Sequence, residues 1–137
     1  MKKTSKWVKL MAVGVVLIGI VGTATVVSAA TWTITTVYVP NLGFGSRASG
    51  LPNIKQSSST YASFNGDDQH NALGYNVHLM DYYYNVNSDW TGLWKNSTSY
   101  AGHNTGKQGQ EYYSDVHSQY AEPNGDWVRL HFSADRK

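Results

Sequence analysis

Apolar and polar side chains alternate at period two in several stretches of this chain, and those stretches predict its strands. Thr31 to Val39 is β-branched and aromatic throughout, with Trp32, Ile34 and Tyr38 on one face. From Leu73 to Met80, Leu73, Tyr75, Val77 and Leu79 fall on one side, and Gly74, Asn76, His78 and Met80 on the other. Near the end, Val128, Leu130, Phe132 and Ala134 oppose Trp127, Arg129, His131 and Ser133. Ile54 to Phe64 alternates more weakly and suits an edge strand with one wet face. Trp90 to Trp94 is a further short strand. In Glu111 to Tyr120, Tyr112, Val116 and Tyr120 are four apart, which fits a helix or one face of a strand; the turn signal Glu122 to Asp126 favours the strand.

Polar turns punctuate these stretches at Asn65 to Asn71 and Asn85 to Asp89, and Gly- and Ser-rich loops run from Leu42 to Pro52 and from Asn96 to Gln110, the second with room for a short strand near Tyr100. The spacing predicts two hairpins, one joining the Ile54 and Leu73 strands and one joining the last two. About six strands and no amphipathic helix after residue 30 predict an all-β fold, a small antiparallel β-sandwich or small barrel, of which we take the sandwich.

The N-terminus departs from this pattern. Lys2, Lys3, Lys6 and Lys9 precede an apolar run of 13 residues, Leu10 to Gly22, and Val27-Ser28-Ala29 supplies the small residues that a signal peptidase reads. As a helix the run spans about 20 Å of a roughly 30 Å hydrocarbon core, too short for an anchor. We therefore read residues 1–29 as a secretory signal peptide helix and 30–137 as a single secreted, extracellular domain, with membrane contact only through an uncleaved leader. Four of the eleven Lys and Arg residues lie in the leader, which leaves seven against nine Asp and Glu. The domain is then mildly acidic, without the basic stripe a nucleic-acid partner requires. No Cys is present, so packing must stabilise it, and with Leu and Ile scarce the four Trp, ten Tyr and three Phe of the domain are expected to carry the core.

Catalytic patterns are poorly represented. In Gly43-Phe44-Gly45-Ser46 the Ser falls one place late for a nucleophile elbow. Asp81, Asp89, Glu111, Asp115 and Asp126 could supply a glycosidase carboxylate pair, but most adjoin turns where Asp serves the backbone. His70, His78, His103, His117 and His131 show no close ligand spacing, with His78 and His131 expected on the outward faces of their strands. Asn85, Asn87 and Asp89 match three offsets of a calcium loop, but Trp90 and Asn96 stand where Gly and a bidentate acid belong. Asn65, Asp67 and Asp68 form a second oxygen cluster. No metal, cofactor or catalytic residue is assigned. The suggestive feature is aromatic: Tyr82-Tyr83-Tyr84, Trp90 and Trp94 lie close together, and consecutive strand aromatics must point to opposite faces. Tyr82, Tyr84, Trp90 and Trp94 are the candidate ligand-binding residues, able to stack on sugar rings.

Asn104-Thr105-Gly106-Lys107-Gln108-Gly109 resembles a segment of lactococcin-type bacteriocins, and the leader, size and Cys-free Tyr-, Ser-, Asn- and Gly-rich composition resemble small exported β-sandwich proteins of Gram-positive bacteria. Tyr75 to Met80 and Trp127 to Leu130 are similar to stretches of uncharacterised exported domains. The bacteriocin resemblance implies a non-enzymatic antagonist that binds a lipid-linked cell-wall precursor. The expected function is thus non-catalytic binding at a cell envelope, to a cell-wall component or glycan. The alternatives are a carbohydrate-binding module or glycan-active enzyme, and a structural subunit of a surface assembly.

Overall fold

The computed structural model describes residues 30–41, 46–47 (backbone only), 50–70, 74–120 and 123–137. Residues 1–29, which hold the expected signal helix, lie outside that range, as do Leu73 and Gly43 to Gly45. Nine strands follow in order: β1 (Thr33–Val39), β2 (Ser46–Arg47), β3 (Asn53–Ile54), β4 (Ala62–Asp68), β5 (Tyr75–Asp81), β6 (Thr91–Leu93), β7 (Thr98–Ala101), β8 (Glu111–Ser118) and β9 (Asp126–Ser133). They build two antiparallel sheets, and the described residues contain no helix. The first sheet runs β1-β9-β4-β7; the second runs β2-β8-β5-β6, with β3 also pairing β8.

Alternation explains how the sheets meet. Val37 and Val39 of β1, Ala62 and Phe64 of β4, and Val128, Leu130 and Phe132 of β9 point inward from the first sheet. Tyr75, Val77, Leu79, Leu93, Tyr112 and Val116 meet them from the second, forming one buried cluster. Phe64 and Phe132 stack with ring centres 6.3 Å apart. This core corrects the expectation that the aromatics carry it. All four described Trp residues are exposed, and aliphatic side chains fill most of the interior. Trp32, Ile34 and Tyr38 take the outward side of β1, leaving Thr35, Val37 and Val39 to be buried.

Several expected pairings are also corrected. The Ile54 stretch is not one edge strand: Ile54 ends the two-residue β3, and β4 begins at Ala62 and runs on to Asp68, through the expected Asn65 turn. β4 is central, between β9 and β7. Gly66 lets the chain at Trp94 close on the end of β4, because a Cβ there would come within 2.8 Å of the Trp94 carbonyl oxygen. The Gly66 N–H instead donates to that oxygen at 3.0 Å, and the Gly66 carbonyl accepts from Asn96 N at 2.7 Å. Neither expected hairpin forms. β4 and β5 belong to different sheets, and so do β8 and β9, so each connection links the two sheets rather than pairing its flanks. The strand over Glu111–Ser118 and the short strand near Tyr100 are present as expected.

A buried polar seam closes the fold beyond β9. Asn53 Oδ1 accepts from Ala134 N at 2.8 Å, and Asn104 Nδ2 donates to the Ala134 carbonyl at 2.7 Å. Lys55, 1% exposed, donates through Nζ to the Ser59 and Ala134 carbonyls and lies 3.4 Å from Asp135. Burial pushes the Lys55 ammonium below its ordinary pKa, a shift that Asp135 only partly opposes. Burial also pushes Asp135 upward, but hydrogen bonds from the Ser57 hydroxyl and the Gln56 N–H, with the Lys55 charge, outweigh it and hold the carboxyl below the usual range.

Candidate functional site

The outward face of the second sheet is built from the other parity of the same strands. Asn76, His78 and Met80 of β5 lie beside Tyr113, Asp115 and His117 of β8, with His78 opposite Asp115 and Asn76 opposite His117. His78 is 2% exposed although it faces away from the core, because the Trp90 indole lies flat on it, centroid to centroid 3.7 Å and 9° from parallel. Trp90 also leans on His117 at 4.5 Å. Beneath them one oxygen of Asp115 accepts from Nε2 of His78 at 2.8 Å and lies 3.0 Å from Nε2 of His117. A carboxylate oxygen can only accept, so the His78 ring carries a proton on Nε2. His78 Nδ1 is left buried without a hydrogen-bond partner.

Trp94 reaches the same face by a different route. Its backbone is tied to Gly66 of the first sheet, and its indole folds back over Gly92, where a Cβ would sit 2.7 Å from Nε1. Gly92 is opposite Asn76 on the outward side, two residues from Trp90, about 7 Å along the strand. Two indoles, 45% and 52% exposed, therefore occupy successive outward positions at one sheet edge. Beside them Asn76 Oδ1 accepts from Gln119 Nε2 at 3.1 Å. The strand edge is itself braced: Ser88 Oγ accepts the Leu79 N–H, Asn87 N donates to the Leu79 carbonyl, and Ser99 Oγ donates to the Gly92 carbonyl at 2.6 Å. These bonds fix the run that launches Trp90.

Tyr82 and Tyr84 lie elsewhere, beyond the far end of β5. Asp81 closes a tight turn there, accepting from the N–H groups of Tyr83 and Asn85 and from Asn85 Nδ2, while Tyr84 takes φ of 69°. Burial raises the Asp81 pKa, but the bonds from Asn85 and Tyr83 outweigh that and hold it below its ordinary value. The Tyr82 and Tyr83 rings meet edge to face at 5.5 Å. They border an open cleft of about 790 Å³ whose opposite wall includes Thr105, Lys107, Gln110 and Glu111. That wall contains part of the Asn104 to Gly109 segment, held by Thr105 N to the Asn87 carbonyl and by Lys107 N to the Tyr112 hydroxyl at 2.6 Å. Tyr84 does not line the cleft.

The four sequence-predicted residues thus divide into a tryptophan platform, Trp90 with Trp94, and a cleft that takes Tyr82. Asp115, His117 and Asn76 of the platform were not among them, nor was Lys107 of the cleft. His78 was expected to be a solvated outward histidine; it is outward but covered. Its partner in space is Asp115, while His131 lies outward on the first sheet. The shared outward parity of Asp115 and His117 was the signal that could have found them, once β8 is placed beside β5.

The other flagged oxygen and histidine groups serve the scaffold. Asp126 accepts from the Tyr75 hydroxyl at 2.5 Å and from His70 N at 3.1 Å, and Asp89 takes Nδ1 of His103 at 2.5 Å. Among the described residues no group of three His, Asp or Glu side chains is placed to hold a metal ion. Comparison with protein-family models and with curated proteins finds no match to this chain.

Proposed function

We propose that this protein is a secreted, non-catalytic binder of carbohydrate at a cell envelope, with Trp90 and Trp94 as the surface on which sugar rings stack. The observation that carries this reading is the pinning of both indoles: Trp90 is held flat by His78 and Trp94 by the bare Gly92, so each presents an open face with little entropy left to lose. Pyranose rings offer apolar C–H faces to such a surface, while Asn76, His117 and Gln119 offer polar atoms for hydroxyl groups. The non-catalytic part of the reading is supported by the use of the carboxylates. Asp81, Asp89, Asp115 and Asp126 are each engaged by neighbouring donors, and the Asp115–His117 pair has its carboxylate shared with His78.

Co-sedimentation with purified cell walls and binding to a glycan array test the proposal. The protein should bind, and Trp90→Ala or Trp94→Ala should weaken binding about five- to tenfold, the loss of one stacking contact of roughly 1–1.5 kcal/mol. Absence of binding, or binding that ignores both substitutions, would overturn it. Growth inhibition of related bacteria, lost in the same variants, would place the binding in a bacteriocin-like antagonist.

A further inference from the structure

The outward face of the first sheet carries a second aromatic surface of different chemistry. Trp32, Ile34 and Tyr38 line one side of β1 over about 20 Å, and Trp127 of β9 lies against Tyr38 with ring centres 5.2 Å apart. All four are exposed, Trp127 by 59%. Across the sheet, Arg136 sits over both the Tyr61 and Tyr100 rings, 5.1 Å from each centre, and Lys137 over Trp32 at 5.9 Å. Cations and anions are unevenly spread here. Asp67 is matched by Arg129 at 3.0 Å and Asp68 by Lys95 at 3.8 Å, whereas Asp135 is buried against Lys55. Among the described residues, Arg136 and Lys137 therefore meet no carboxylate side chain at the Trp32 end, in a domain that is acidic overall.

We propose that this face docks on an anionic phospholipid bilayer, with Trp32, Ile34, Tyr38 and Trp127 entering the headgroup layer and Arg136 and Lys137 meeting lipid phosphates. Amphipathic Trp and Tyr rings favour that layer, and each Lys or Arg near an anionic surface adds about a fivefold gain in partitioning. The aliphatic Ile34 between the rings suits acyl chains better than sugar hydroxyls. This inference stands apart from the carbohydrate reading, since it uses the opposite sheet.

The Cys-free sequence allows a position-resolved test with the full chain. Single labels sensitive to polarity are attached at Thr36→Cys, on this face, and at Gln108→Cys, on the loop by the second sheet. Vesicles of pure phosphatidylcholine are compared with vesicles containing equal phosphatidylcholine and phosphatidylglycerol. The label at position 36 should shift to the blue on the mixed vesicles and the label at 108 should not, and because every variant shares residues 1–29, the Arg136 and Lys137 substitutions isolate the contribution of this face. Arg136→Ala with Lys137→Ala should reduce the shift-derived affinity roughly 25-fold, and high salt should reduce it too. Trp90→Ala should leave it unchanged. Circular dichroism checks that each variant is folded. No shift at position 36, equal shifts at both positions, or indifference to the Arg136 and Lys137 substitutions overturns the proposal. So does a label shift that appears without vesicles and tracks dimer formation in light scattering, which would make the face a contact between copies.

Discussion

On the second sheet Trp90 and Trp94 lie flat against what is beneath them, a buried histidine and a glycine, whereas on the first sheet Trp32 leans on the half-buried His131 and Trp127 on the exposed Tyr38. The two faces have similar aromatic content and different foundations. Beneath Trp90 is a polar pair, His78 and Asp115, that needs its indole cover and would be costly to rearrange. Beneath the first-sheet aromatics the chain is either core or solvated ion pair. A surface fixed from below can select a ligand by shape, while one fixed only at its edges adapts to a broad, fluid partner.

Four measurements could break or sharpen that contrast. The largest effect is expected from Asp115→Ala, which strands the buried Nε2–H of His78 and should cost about 2–4 kcal/mol in urea unfolding. The first-sheet counterpart His131→Ala should stay within about 0.5 kcal/mol, and equal losses would erase the distinction. Next, Gly92→Ala places a methyl group against Trp94. It should cost about 1 kcal/mol and move the Trp94 indole N–H resonance while leaving that of Trp127 in place.

The third measurement concerns the point where the sheets are joined, at Asp126 of β9 and Tyr75 of β5. Burial raises the Asp126 pKa, but the Tyr75 hydroxyl and the His70 N–H and ring outweigh it, so the folded value lies below the usual carboxylate range. The ionised carboxylate therefore stabilises the fold fully above the unfolded pKa, and that stability is lost as pH falls through the folded one. Asp126→Asn should cost about 1 kcal/mol at neutral pH and flatten the acid limb of the stability curve. An unchanged acid limb would show that this bond does not couple the sheets. The smallest effect is at His103, where the hydrogen bond to Asp89 and its charge raise the imidazole pKa on the surface. A raised folded value stabilises below the unfolded pKa and fades as pH climbs through the folded one. In an NMR titration, Asp89→Asn should bring His103 back down, with the platform histidines undisturbed.

Legibility in the sequence followed local alternation and failed where neighbours decide. β1 and β9 could be read because Thr35, Val37, Val39 and Val128, Leu130, Phe132 keep strict parity in Val- and Thr-rich context. The outer half of β4 could not, since Asn65-Gly66-Asp67-Asp68 has turn composition. It is a strand because the Trp94 and Asn96 backbone pairs with Gly66, and because Arg129 neutralises Asp67. Trp90 and Trp94 could be flagged as a pair from their density. Their histidine bed could not, because an expected hairpin put β8 beside β9 when it lies beside β5. Tyr82 to Tyr84 read as one aromatic unit, yet the αL conformation at Tyr84 separates its direction from that of the cleft-lining pair.

The polar seam at Ala134 and Asp135 sets a timetable as well as an energy. β9 is an interior strand of the first sheet, pairing Phe132 with Thr33 and with Phe64, and its exit is gripped by Asn53, Lys55 and Asn104. Without β9 the first sheet has no strand to bridge β1 to β4. Such long-range closure is slow and all-or-none. The first sheet therefore closes through pairings as distant as Thr33 with Phe132, and its Val-rich edges stay unpaired until β9 is in place.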